Sequence, residues 1–238
     1  MKEKCNHSFS DGIRDGLPIG LGYLSVSFAF GIFAVKSGLP IWAVIAISMT
    51  NLTSAGQMAG VPLIVAAATY MELMLSQLII NIRYSLMSLS LSQKLEKSIG
   101  VSGRLGISFG ITDEIFAVAS TKEGKVGTTY MRGLIFIPYI GWTLGTVLGA
   151  VAGSFLPASV QSALGIAIYG MFIAIIVPAA KKSFSVFVVV LIAVMLSCLF
   201  RWVPGLNMVS DGFVIIICSV ISAGIGAILF PFKEVFEQ

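Results

Sequence analysis

Polar and apolar positions along this chain sort into long blocks. No Asp, Glu, Lys or Arg occurs in 16–35, 37–71, 133–180, 183–200 or 212–232. A helix needs roughly 20 apolar residues to cross the hydrocarbon of a bilayer. The pattern predicts helical spans over 16–36, 41–58, 62–82, 133–154, 158–179, 184–200 and 208–230. The segment 105–121 is also apolar but carries Asp113 and Glu114 near its middle, so it is expected to dip in without crossing. Strict alternation of polar and apolar residues is missing, which argues for a helical bundle over a β-barrel. The expected fold is all-α: a polytopic helical membrane protein of about seven spans, with six and eight as alternatives.

Composition agrees with that class. Hydrophobic residues make up 57% of the 238 positions and charged ones 11%, against roughly 25% charged in soluble domains. So few charges cannot clothe a soluble fold, and the net charge of +4 is not a nucleic-acid footprint. In a membrane protein Lys and Arg mark the cytoplasmic face. Two polar stretches, 92–104 and 122–132, are basic through Lys94, Lys97, Arg104, Lys122, Lys125 and Arg132. Counting basic residues leaves three arrangements open. Seven spans put the N-terminus outside, and eight put it inside. Six crossings, with 41–58 also re-entrant, leave only Lys36 and Arg201 outside. All three put the C-terminus in the cytoplasm, at the plasma (inner) membrane. Cys5, Cys198 and Cys218 have no metal-ligand spacing, and the single histidine, His7, lies in the polar N-terminal tail. No metal or other cofactor is expected. No metalloprotease, P-loop, nucleophile-elbow or dinucleotide motif is present, so the chain is not expected to be an enzyme.

Landmarks recur at nearly constant offset. Arg14 and Arg132, Leu39-Pro40 and Leu156-Pro157, Pro62 and Pro178, and Arg83 and Arg201 lie 116 to 118 positions apart. This predicts two homologous halves, 1–118 and 119–238, inverted in the seven-span arrangement and together one transport domain. Inverted repeats with broken helices are common in secondary transporters. Glycine ladders run through Gly12, Gly16 and Gly20, and through Gly141, Gly145, Gly149 and Gly153. The plain expectation is helix packing within the chain; the sharper one is a docking face for another subunit.

Polar groups at membrane depth are costly unless paired, and are functional candidates for that reason. Three clusters qualify. The first holds Asn51, Thr53, Ser54, Gly56 and Gln57, followed by Gly60 and Pro62; the glycines and proline favour a break in the helix there. A break exposes N–H and C=O groups that can bind an ion or zwitterion, though a polar helix contact would use the same residues. The second is Asn81-Ile82-Arg83, where Arg83 either clamps a carboxylate or anchors the helix end. Glu72, in the same expected span, is a proton carrier or an ion-pair partner, or else an interfacial residue. The third is Thr112-Asp113-Glu114. One carboxylate there could meet a substrate ammonium or carry a proton, with Arg83 or Arg104 as partner; the plain alternative is acids in the first turn of a helix.

At these clusters the sequence resembles the AzlC-like branched-chain amino-acid permeases. The resemblance rests on Gly12-Ile13-Arg14-Asp15-Gly16-Leu17-Pro18, Ser54-Ala55-Gly56-Gln57, the stretch Asn81-Ile82-Arg83-Tyr84-Ser85, and Thr112-Asp113-Glu114-Ile115-Phe116-Ala117. It implies export of leucine, isoleucine, valine or analogues, with a small AzlD-type membrane subunit as partner. Two positions depart from the common pattern: Gln57 directly follows Gly56, and Tyr84 stands where many relatives have His. The resemblance and the polar clusters together suggest a proton-coupled exporter. A non-transporting scaffold or sensor subunit is the alternative.

Overall fold

The computed structural model describes residues 7–153 and 155–231, with part of the side chains only between 158 and 175. Lys2, Lys4, Cys5 and Lys233 lie outside the described residues. All regular structure among them is helical. The helices are α1 (Phe9–Lys36), α2 (Ile41–Thr50), α3 (Ser54–Val65), α4 (Tyr70–Lys94) and α5 (Val101–Phe109). They continue with α6 (Asp113–Thr121), α7 (Thr128–Ala152), α8 (Ala158–Lys182), α9 (Phe184–Trp202) and α10 (Asp211–Leu229). By length and apolar composition α1, α7, α9 and α10 each suffice to cross a membrane.

Contacts divide the chain into two compact units. One comprises 1–61 with 80–168; the other comprises 62–79 with 169–238. These units cut across both sequence halves.

The first unit is built on the α1–α7 seam. Here the two glycine ladders face each other. A Cβ on Gly16 would sit 2.7 Å from the carbonyl oxygen of Leu134, and one on Gly20 would sit 2.9 Å from that of Ile137. In return, Cβ atoms on Gly141, Gly145 and Gly149 would collide with the backbone of Gly20, Leu24 and Phe28. In lipid no hydrophobic force joins apolar helices, so close backbone approach must supply the packing. Both ladders are therefore spent inside the chain.

The two basic loops are tied together. Val126 N–H donates to the Lys94 carbonyl at 3.0 Å, and Glu96 N–H to the Val126 carbonyl at 3.1 Å. Lys94 Nζ reaches the Ser120 carbonyl at the end of α6, and Lys125 Nζ the Gln93 carbonyl at 2.8 Å. The end of α4, the start of α5, the end of α6 and the start of α7 thus converge. The start of α5 and the end of α6 therefore lie at one end, and the two helices form a hairpin interrupted at its middle. Each half has nine residues, about 13 Å of rise, too short to cross alone.

α2 and α3 form a second pair, entering from the other end. Val61, late in α3, shares a core cluster with Leu39 and Val44 around the start of α2, and with Ala34 and Ala150 late in α1 and α7. Between them, Asn51–Thr53 is not helical. The expected break at Gly56, Gly60 and Pro62 is thus corrected to 51–53; α3 runs unbroken through all three residues. Thr53 explains the placement, because its hydroxyl caps the new helix at Gly56 N–H, 3.2 Å away.

Two further features bear on the expected topology. The start of α1 lies at the basic end, since Lys122 pairs with Asp15 at 2.7 Å and His7 Nε2 lies 3.1 Å from the Glu123 carbonyl. The start of α1 and the basic loops thus share one end of the first unit. The expected 62–82 span is also interrupted. α3 ends at Val65, and the chain turns over 66–69 with Ala67 at φ 52°. Ala68 N–H closes that turn onto the Leu63 carbonyl at 2.9 Å, the pattern of a left-handed helix cap.

In the second unit α9 and α10 pack together, with Gly226 against Val189. No side chain of α9 is buried. Cys218 is buried and packs as a small apolar residue, its carbonyl accepting from Ser222 Oγ at 2.6 Å.

Candidate functional site

Both interrupted helices start again on a threonine cap. The Thr112 hydroxyl accepts from Ile115 N–H at 3.4 Å as Thr53 does from Gly56. The two caps stand 59 positions apart. Each opens a helix whose N-terminal N–H groups carry the positive end of the backbone dipole toward the break. The breaks meet at one cavity of about 210 Å³, lined by Asn51, Leu52, Thr53, Asn81, Tyr84, Ser108, Phe109 and Ile111. α4 contributes Asn81 and Tyr84 from its middle.

Beside this cavity lies an ion pair. Arg83 Nη1 is 2.5 Å from Asp113 Oδ2, and both side chains are a little under half exposed. The Arg83 guanidinium also lies 5.0 Å from the centre of the Tyr84 ring. An ion pair this exposed contributes on the order of 1 kcal/mol or less to stability, so stability alone gives little reason for placing it among apolar helices. Glu114 takes a separate partner: Tyr23 Oη donates to Glu114 Oε2 at 2.5 Å and lies 2.6 Å from Thr112 Oγ1. The two adjacent acids therefore point to different partners, Asp113 to α4 and Glu114 to α1. Both also occupy the first turn of α6, where a carboxylate is favoured by the helix dipole.

Gln57 holds the first break in shape. Its amide nitrogen donates to the Asn51 carbonyl, and its Oε1 accepts from Ser48 Oγ at 3.4 Å. Ser48 in turn lies 2.8 Å from Thr146 Oγ1 on α7. Ser48, Thr146, Gln57 and Thr53 are all buried. Tyr139 Oη adds a bond to the Met49 carbonyl at 3.0 Å, satisfying part of the backbone freed by the break.

Of the residues singled out from sequence, Asn51, Thr53 and Asn81 line the cavity. Arg83 and Asp113 form the pair beside it, and Thr112 and Glu114 engage Tyr23. Gln57 and Gly56 serve the network behind the break, and Ser54 starts α3. Tyr23, Ser48, Ser108, Trp142 and Thr146 also belong to the site or its supports but carry no signal in the sequence. Single aromatic or hydroxyl residues within apolar spans have no motif around them. Trp142 is buried, its ring 5.4 Å from that of Tyr23, and its indole N–H has no acceptor among the described residues.

Glu72 belongs to the second unit. Its carboxylate is buried and accepts from Ser210 Oγ at 2.6 Å and Gly212 N–H at 3.1 Å, capping the start of α10. Ser76 Oγ adds a bond to the Gly212 carbonyl at 3.3 Å. This acid is therefore not isolated.

Long apolar helices, two interrupted helix pairs and a polar cavity where they meet define a multi-pass helical membrane protein. The family described as AzlC protein matches residues 18–156, a stretch that holds both breaks, Arg83 and the Asp113–Glu114 pair. The chain belongs to the AzlC family. It is 28% identical over 186 residues to the inner membrane protein YgaZ of Escherichia coli K12, covering 75% of this chain and 76% of that one. It is 31% identical over 180 residues to an uncharacterized membrane protein of Archaeoglobus fulgidus, covering 73% and 76%. A membrane protein of Helicobacter pylori J99 is 26% identical over 156 residues, covering 62% and 67%. No solved structure matches the chain.

Proposed function

We propose that this chain exports branched-chain amino acids such as leucine, isoleucine and valine across the cell membrane, coupled to protons, together with a small AzlD-type membrane subunit. The observation that supports this most is the meeting of two helix breaks at one polar cavity, with Arg83–Asp113 beside it. Interrupted helices that present N–H groups and carbonyls inside a membrane are the usual way transporters hold small charged solutes. An amino acid is a zwitterion and matches an Arg–Asp pair charge for charge. Its carboxylate replaces Asp113 on the guanidinium, and its ammonium replaces Arg83 on the aspartate. The N-terminus of α3 faces the same carboxylate. Tyr84, Phe109, Leu52 and Ile111 offer apolar surface for the aliphatic side chain. Glu114, held by Tyr23, is the acid left to take up a proton. The topology that goes with this reading has six crossings, with both chain ends in the cytoplasm.

The test is efflux of preloaded leucine and valine from cells lacking their own exporters. The chain, the small subunit, and both together are expressed in parallel. Faster efflux only with both supports an obligate two-subunit exporter. Unchanged efflux in every case, with the chain present in the membrane, defeats the substrate assignment.

A further inference from the structure

A second concavity lies at the basic end of the first unit, between α5 and α7. It measures about 460 Å³, and its lining includes Ser102, Gly106, Phe109, Arg132, Phe136 and Tyr139. From Arg132 to Tyr139 it follows α7 for about 10 Å, toward the middle of the helix. Its far part is apolar and aromatic, and Phe109 and Phe136 are about half exposed. A Cβ on Gly106 would meet nothing within 4 Å, so the groove is open at that point. Its near end is different. Arg132 is exposed and has no ion-pair or hydrogen-bond partner among the described residues. Neighbouring basic groups are engaged: Lys122 with Asp15, Lys94 and Lys125 with carbonyl oxygens, Arg104 Nε with the Ile99 carbonyl at 3.2 Å.

We infer that this groove holds an anionic phospholipid, its phosphate on Arg132 and its acyl chain along Ile135, Phe136 and Tyr139. The charge decides the class. A guanidinium pairs bidentately with a phosphate. A zwitterionic headgroup brings its own cation, whereas phosphatidylglycerol leaves the phosphate charge for the protein. The Ser102 and Thr128 hydroxyls lie in the same lining and can donate to headgroup oxygens. The inference needs only that the chain sits in a bilayer, and does not depend on the transport reading.

The test uses the full chain, purified in detergent, delipidated and checked for monodisperse elution. Phosphatidylglycerol, phosphatidylcholine and glycerol 3-phosphate are added separately, and bound ligand is read by native mass spectrometry. Phosphatidylglycerol is expected to be retained about fivefold over phosphatidylcholine, the worth of one basic residue near an anionic surface. Arg132→Gln should remove that preference, Arg132→Lys should keep most of it, and Lys125→Gln should leave it intact. Gly106→Phe, which fills the open wall, should lower retention of both lipids. Equal retention of the two lipids by the unmodified chain overturns the inference, as does a preference that survives Arg132→Gln. Displacement of phosphatidylglycerol by millimolar glycerol 3-phosphate overturns it too, because the site would then read a free anion rather than a lipid. A photocrosslinker at position 106 that captures the small membrane subunit in cells, and no lipid, does the same.

Discussion

Arg83 and Asp113 are the residues whose position most needs a reason beyond stability. Their pair is a little under half exposed on both sides, so breaking it costs the fold little. Under the proposed reading, breaking it removes both charges that hold the substrate. Arg83→Ala and Asp113→Asn, tested separately, should each reach the membrane at the normal level and lower leucine efflux by at least about tenfold, a loss of ~1.4 kcal/mol. Efflux within twofold of normal for both would sink the assignment. Glu72 makes the opposite case. Its carboxylate is buried on two donors at the start of α10, and truncation leaves those donors unsatisfied at a cost of about 1–3 kcal/mol. Glu72→Ala should therefore lower the melting temperature in detergent, with Glu72→Gln, which keeps an acceptor oxygen, in between. Much of this was legible beforehand, because a charged or amide side chain in a charge-free run announces itself. What could not be read was the partner. Nothing in the sequence joins Tyr23 to Glu114 or Ser210 to Glu72, since such pairs are made by packing across long chain separations.

Among elements, the seam between α1 and α7 is the tightest contact and the one most exposed to substitution. A Cβ on Gly145 would collide with Ser27 Oγ and with the Leu24 carbonyl, and the latter is backbone that cannot step aside. Gly145→Leu should abolish monodisperse elution in detergent, because backbone collision on both sides costs more than the ~1–3 kcal/mol of ordinary overpacking. Gly224→Leu, at a position with open space around it, is the control and should elute normally. The ladders were plain in the sequence, and so was the choice between internal packing and a docking face. Packed against each other, the ladders serve the chain's own fold rather than a docking face for another subunit. Helix ends were less legible. Gly56, Gly60 and Pro62 invite a break, yet α3 runs through them, since neighbouring groups within a membrane bundle can satisfy what a proline frees. The turn after Val65 falls in an alanine run with no glycine or proline to mark it. Its one signal is Thr69-x-x-Glu72, in which Thr69 Oγ1 accepts from Glu72 N–H at 3.2 Å, a spacing typical of a helix start.

For the whole molecule, the two helix–break–helix pairs bear directly on the number of crossings. Charge counting alone left 41–58 free to cross, because the stretch is long enough and carries no charge. The structure breaks it at 51–53 and returns α3 toward the start of α2, while the contacts of the two basic loops return α6 toward the start of α5. Under the proposed topology neither pair adds a crossing. The landmark offset of 116 to 118 does not locate these pairs: 117 positions after Asn51 lies Ile168, inside the uninterrupted α8. The spacing that relates the two Thr-capped breaks is 59. Each break follows a long helix, α1 or the second half of α4, and these two run in opposite directions along the first unit. A span followed by a hairpin from its far end, repeated with the direction reversed, brings two breaks to one place from both sides. The expected topology can be checked with single cysteines in a background lacking Cys5, Cys198 and Cys218. Cysteines replacing Lys36 and Arg201 should react with a membrane-impermeant maleimide added to intact cells. Those replacing Lys97 and Lys181 should react only after the membrane is opened. Labelling of position 97 in intact cells would mean that the basic loops face outward. Protection of position 36 would mean that α2 and α3 cross after all, and the meeting of two breaks at one cavity would then need a different account.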